Sequence, residues 1–209
     1  VDEIITPAYR QESGEIWSDL SLMLFSPSRF FMPGNLDSAA RPGLFVFVTI
    51  FCSMVVFRLW QLGFRMLSHP DSAAPGFAAL PLTKFLLIPL LSALAAFLIV
   101  RFVTLPFHLG LILTGSGKGG IGRTYRVFCY ATAAALFLFI PLVGPLAAPV
   151  WGAVLLLLGM KTAHHTGTVR VLLSAVISFL VIGMGLVLGA VILILVISLA
   201  LGYLFGAGF

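Results

Sequence analysis

Long apolar runs separated by short polar joints dominate the chain, and their lengths predict its architecture. A helix needs about 20 predominantly apolar residues to cross a hydrocarbon core roughly 30 Å thick. The first run is residues 43–64, "GLFVFVTIFCSMVVFRLWQLGF", and a polar loop around "SHPDSAAPG" follows it. The second covers 81–113 and contains Pro89 and Pro106. It is longer than one perpendicular span, so it predicts a tilt, a kink or a segment emerging from the bilayer. A third run, 125–142, leads through the turn "VGPLAAP" to a fourth at 146–162. The last, 169–206, is apolar almost throughout and carries Gly183, Gly185 and Gly189. One straight helix of that length would be about 55 Å long, so the run either bends at "GMGLVLG" or makes two short crossings. A hairpin in lipid needs its backbone groups satisfied by protein, and no polar turn residues are present. The count is therefore five spans, with six as the alternative reading.

The segment before the first run has a different pattern. "ESGEIWSDLSLML" places Ile16, Leu20 and Met23 on one side of a short amphipathic helix, with Glu15 and Asp19 elsewhere. In "SPSRFF", Ser26 suits an N-cap and Pro27 a first helical position, and Phe30 and Phe31 are expected in the headgroup layer. The segment is not a signal peptide, which would begin basic and then turn apolar. The predicted fold is all-α: a cytoplasmic N-terminal segment, 1–42, with interfacial helices, then a polytopic transmembrane bundle, 43–209.

Composition agrees with this pattern. The chain is 60% hydrophobic and 9% charged, with a mean hydropathy of +1.14; an ordinary soluble domain is roughly 25% charged. Cys52 and Cys129 lie within apolar runs and read as small core residues, not as a disulfide. The placement of charge is more informative than its total. Every carboxylate except Asp71 falls in the first 37 residues, and none occurs from Ser72 to Phe209. The membrane part therefore offers no carboxylate pair for acid–base catalysis, no Asp/Glu proton relay and no oxygen-rich magnesium or calcium site. With five spans and a cytoplasmic N-terminus, the inner side collects Arg10, Arg29, Arg41, Lys118, Arg123, Arg126, Lys161 and Arg170. The outer side has only Arg65 and Lys84, in keeping with the positive-inside rule. The C-terminus then lies outside.

One loop looks like a nucleotide motif. "TGSGKGGIGRTYR", 114–126, contains "KGGIGRT", close to the KGGxGKT signature of partition-type ATPases. A phosphate loop needs a preceding buried strand, a Ser/Thr on magnesium and an acid on a second strand. This loop joins two membrane helices, no acid follows it, and Arg123 stands where the motif has its second lysine. It reads as a glycine turn at the inner leaflet, whose Lys118, Arg123 and Arg126, with Lys161 and Arg170, can contact lipid phosphate or an acidic partner surface. No nucleotide and no nucleic acid is implied.

His108, His164 and His165 lie near the inner ends of their runs, where three imidazoles suit zinc or copper. No cysteine or carboxylate accompanies them, so interfacial histidines bonded to helix ends are the favoured reading and no cofactor is assigned. Arg58 and Arg101 lie within spans without a membrane carboxylate to pair with. Both read as snorkelling towards headgroups, with an anion path or a lipid groove as the alternative. The GxxxG spacings at 185–189 and 202–206 suit close helix contact and admit a homo-oligomer.

The segment from Gly115 to His164 resembles the core of the Yip family, the Ypt/Rab-interacting five-span membrane proteins and their bacterial relatives. A glycine-rich turn with lysine ("GSGKGG") is followed by "TYRVFCYA", "IPLVG", a tryptophan in the next span and "GMKTAH". The matching positions are Gly119, Thr124, Arg126, Tyr130, Pro141, Gly144, Trp151, Gly159, Lys161 and His164. "FSPSRFF" and His108 are also similar to what the family shows. The resemblance implies trafficking proteins that bind Rab-type GTPases and one another. Only about 40 residues precede the first span here, which favours a bacterial inner-membrane relative over a GTPase binder. At these positions, Thr124 is expected to cap the third helix, Pro141 and Gly144 to shape the outer turn, and Arg126 and Lys161 to face the inner headgroups. The expected function is a non-enzymatic scaffold or adaptor contacting lipids and other membrane proteins. A small transporter or channel for an anionic or lipid solute is the alternative.

Overall fold

The computed structural model describes residues 16–32, 35–38, 41–68 and 82–206. Among the described residues there are helices and turns and no strand. Three short helices come first: α1 (Ile16–Phe25), α2 (Pro27–Phe30) and α3 (Asn35–Ser38). They lead to α4 (Pro42–Ser68) and α5 (Leu82–Leu113). After the glycine loop come α6 (Gly120–Ala131), a 3-10 helix (Thr132–Phe139), α7 (Gly144–His164) and α8 (Thr168–Gly206). Four segments, Pro42–Ser68, Phe85–Leu113, Gly144–His164 and Thr168–Ser198, are long and apolar enough to cross a membrane. His69 and Asp71 lie outside the described residues.

The third apolar run differs from expectation, because it is not one α-helix. At Thr132 the hydroxyl donates to the Cys129 carbonyl at 2.6 Å, and the Thr132 amide turns to the same oxygen. That carbonyl is the one an α-helix would offer to residue 133, so the i→i−3 pattern takes over. The small side chains of Ala133 and Ala134 are buried there, and the Ala134 methyl would lie 3.5 Å from a Cβ at Gly152 of α7. With 12 residues in α6 and 8 in the 3-10 helix, the pair extends about 34 Å. The turn that follows is tight: Leu142 has φ 66°, Gly144 N–H donates to Ile140 O at 2.9 Å, and a Cβ on Gly144 would collide with the Phe137 carbonyl.

The last run is a single α-helix of 39 residues, about 58 Å along its axis. It passes through Gly183, Gly185 and Gly189 without interruption, so the reading of two short crossings is not found. Its first half packs on α5 through small and hydroxylated residues. A Cβ on Gly110 would lie 2.7 Å from Ser174 O, Ser178 Oγ donates to Pro106 O at 3.1 Å, and the Thr114 and Ser174 hydroxyls are 3.0 Å apart. Small residues of this kind allow close helix approach where lipid supplies no hydrophobic drive. Residues 183–198 are exposed at every position.

The N-terminal helices are also placed differently from expectation. Phe30 and Phe31 are 0% and 1% exposed and share one core with Leu20, Met23, Leu36, Phe45 and Tyr130. Tyr130 is the hub: its ring meets Phe30 and Phe45 edge-on, each at 5.1 Å between centroids. The expected place of these two phenylalanines in the headgroup layer is thereby corrected: both rings are buried in the bundle's own aromatic core. Pro27 does occupy a first helical position, while Ser26 makes no side-chain cap.

Candidate functional site

At the end of the bundle where α5 finishes, the glycine loop folds back on itself. Gly115 and Gly120 have φ of 71° and 74°, a backbone that side-chain-bearing residues rarely adopt. The amides of Thr114, Gly115 and Ser116 donate to Gly110, Ile112 and Leu111 carbonyls, and that of Gly120 to Gly117 O. These groups are used internally, so they do not form an open cradle for a phosphate.

His164, the last residue of α7, holds this loop in place. Gly119 N–H donates to His164 Nδ1 at 3.1 Å. The opposite ring nitrogen, Nε2, lies 2.9 Å from Thr124 Oγ1, and Thr124 Oγ1 lies 2.9 Å from His108 Nδ1 on α5. Because Nδ1 of His164 accepts, its proton resides on Nε2 and is donated to Thr124. Thr124 Oγ1 also donates to the Gly120 carbonyl at 3.3 Å, so the direction of its pairing with His108 Nδ1 follows the tautomer of that ring. Three elements, α5, α6 and α7, are thus joined through one buried hydroxyl, with Thr124 and His164 both 0% exposed. A second link runs alongside, from Ser116 Oγ to Thr166 Oγ1 at 2.8 Å.

Several expectations are revised by this geometry. Thr124 does not cap the helix; α6 already begins at Gly120, its cap is Gly119, and the threonine joins two histidines. His108 and His164 do come together, with ring centroids 5.9 Å apart. His165 stays exposed in a left-handed conformation, φ 48°, so the third imidazole is not added. Among the described residues no three His, Cys, Asp or Glu side chains gather as metal ligands would. The hydroxyl between the two imidazoles is fully buried. Arg126 Nη1 donates to Leu36 O at 2.9 Å, which ties α6 to the N-terminal segment. Lys118 and Arg170 are exposed; Arg123 and Lys161 are half-buried.

The remaining sequence candidates are distributed along the bundle. Gly159 gives α6 and the N-terminal segment close access to α7: a Cβ there would lie 2.5 Å from Val127 Cγ1 and 2.9 Å from the Phe31 ring. Trp151 is half-buried against Phe137, and its indole nitrogen is buried without a hydrogen-bond partner. Pro141 begins the tight turn before α7. Arg101 lies over the Phe97 and Tyr125 rings, 5.1 and 5.6 Å from their centroids, a cation–π arrangement. Arg58 is half-buried at the far end of α4. The residues that sequence reading missed are the small hydroxyls Thr114, Ser116, Thr166, Ser174 and Ser178. Their signal was polarity recurring at the ends of apolar runs, where interhelical hydrogen bonds form. Comparison of the chain with protein-family models, with curated proteins and with solved structures finds no match.

Proposed function

We propose that this chain is a five-crossing, non-enzymatic membrane scaffold of the Yip type, with its glycine-loop end in the cytoplasm and its C-terminus outside. The observation that carries this reading is the convergence of the motif positions. Gly119, Thr124 and His164 form one hydrogen-bonded cluster. Gly159, Tyr130 and Arg126 adjoin it, holding Phe31, Phe30 and Leu36 of the N-terminal segment. This end presents Lys118 and Arg170 outward with Arg123, Arg126 and Lys161 beside them, a basic surface suited to anionic headgroups or acidic partners.

Five crossings are supported by the course of residues 120–139. They start beside His108 and His164, and they finish where Trp60 Nε1 of α4 donates to Phe139 O at 2.9 Å. Their length of about 34 Å matches a core of roughly 30 Å. The alternative, a transporter with Arg58 and Arg101 on one route, has less support, because the two line separate lateral grooves with no residue in common. A photo-crosslinking residue at position 118 in native membranes tests the scaffold reading. It predicts adducts with anionic lipid and with a discrete protein partner, both weakened by Arg123→Gln with Arg170→Gln. Absence of any protein adduct, together with anion flux in proteoliposomes, would favour the transporter.

A further inference from the structure

A second basic site lies at the opposite end of the bundle, about 30 Å from His108 along α5, where α4 ends and α5 begins. Arg58, Gln61 and Arg65 occupy successive turns of α4 and line one lateral groove of about 590 Å³. Its other walls are apolar: Leu62 and Phe64 of α4, and Phe85 and Ile88 of α5. Arg58 Nη1 donates to Gln61 Oε1 at 3.2 Å, which fixes the direction of the guanidinium and leaves its other N–H donors available. Among the described residues no acid lines this groove.

We propose that this groove binds an anionic glycerophospholipid of the leaflet at that end. Its phosphate would bridge Arg58 and Arg65, and one acyl chain would lie along Leu62, Phe85 and Ile88. Two guanidiniums with no acid beside them among the described residues suit an anion, and guanidinium holds phosphate oxygens in pairs. An apolar wall continuous with that anion site selects a molecule with both a charge and a tail. The site is independent of the scaffold reading, which concerns the other end.

The test is native mass spectrometry of the full-length protein released from nanodiscs containing phosphatidylglycerol and phosphatidylcholine in equal amounts. The expected result is preferential retention of phosphatidylglycerol, weakened about tenfold or more by Arg58→Gln with Arg65→Gln. Leu62→Trp, which fills the groove and keeps both charges, is expected to weaken it as well. Lys118→Gln with Arg123→Gln is expected to leave this retained lipid in place. If the double arginine variant folds poorly, thermal unfolding of Arg65→Gln alone still decides: phosphatidylglycerol should stabilise the wild type more than this variant. Equal retention of the two lipids by the wild type would overturn the proposal. So would displacement by millimolar inorganic phosphate, which marks an anion site without a tail site. A preference gained only on Asp71→Asn would also overturn it, by identifying the chain's own carboxylate as the counter-ion.

Discussion

Three glycines of the inner loop, at 119, 120 and 122, look alike in sequence and should respond differently to alanine. At Gly119 a Cβ would collide with the Ala163 carbonyl and lie 3.0 Å from His164 Nδ1. The backbone of α7 cannot move away easily, so the loop must shift. Overpacking of this kind costs about 1–3 kcal/mol, and losing the Gly119 N–H bond leaves the buried His164 acceptor unpaired at about 1–3 kcal/mol more. At Gly120 there is open space around the added methyl. Its φ of 74° with ψ of 163° lies in a region essentially reserved for glycine, which costs about 1–3 kcal/mol. Gly122 is inside α6 with nothing near its Cβ, so alanine there should stabilise by about 0.5–1 kcal/mol. Gly119→Ala and Gly122→Ala should therefore differ by at least about 2.5 kcal/mol, or roughly 5–10 °C in Tm for a chain of this size. Thermal unfolding of the detergent-purified variants, followed by far-UV circular dichroism, measures the difference. Equal Tm values for these two variants would refute the loop-to-His164 contact on which the site is built.

Other residues of the same end give further predictions. Thr124→Val removes the hydroxyl that pairs with His164 Nε2 and His108 Nδ1 and should destabilise by about 2–4 kcal/mol, whereas Thr124→Ser should restore most of that loss; unfolding of the pair distinguishes the missing hydroxyl from a change of shape. The His164 ring should be neutral with its proton on Nε2, as read from its ¹⁵N shifts at neutral pH; a doubly protonated ring or the other tautomer contradicts the assigned network. Phe30→Ala removes a fully buried ring between Phe31 and Tyr130 and should cost about 3–5 kcal/mol. A loss below about 1 kcal/mol in the same unfolding assay would mean that the N-terminal helices lie on the membrane surface instead.

What sequence reading located best was whatever depends on hydropathy and length. The runs 43–64, 81–113, 146–162 and 169–206 correspond to α4, α5, α7 and α8 because a membrane span is an additive property of its residues. The break within 125–142 was not legible, since "TAAALFLF" is as apolar as any α-helix and the only local mark of the break is the Thr132 hydroxyl turned to the Cys129 carbonyl. The positions of Phe30 and Phe31 were misread for a similar reason. An aromatic pair before a span suits headgroups and protein interior equally, and only Tyr130, a hundred residues further on, decides between them. His108 and His164 were legible as neighbours because both stand at run ends on one side. That Thr124 joins them was not, because threonine near a helix start suggests a cap. Gly185 and Gly189 show the opposite case, a recognisable spacing at which an added Cβ would meet nothing within 4 Å among the described residues.

The course of residues 120–139 supports the central claim more directly than any other segment, and cysteine labelling from one side of the membrane tests it. In a background with Cys52 and Cys129 replaced by alanine, single cysteines are placed at Leu142 and at Thr166 and exposed to an impermeant maleimide added outside intact cells. The account predicts labelling at 142 and protection at 166 until the membrane is permeabilised. Protection at 142 with labelling at 166 would contradict the proposed scaffold, in which the glycine-loop end is cytoplasmic and the turn at 142 lies outside.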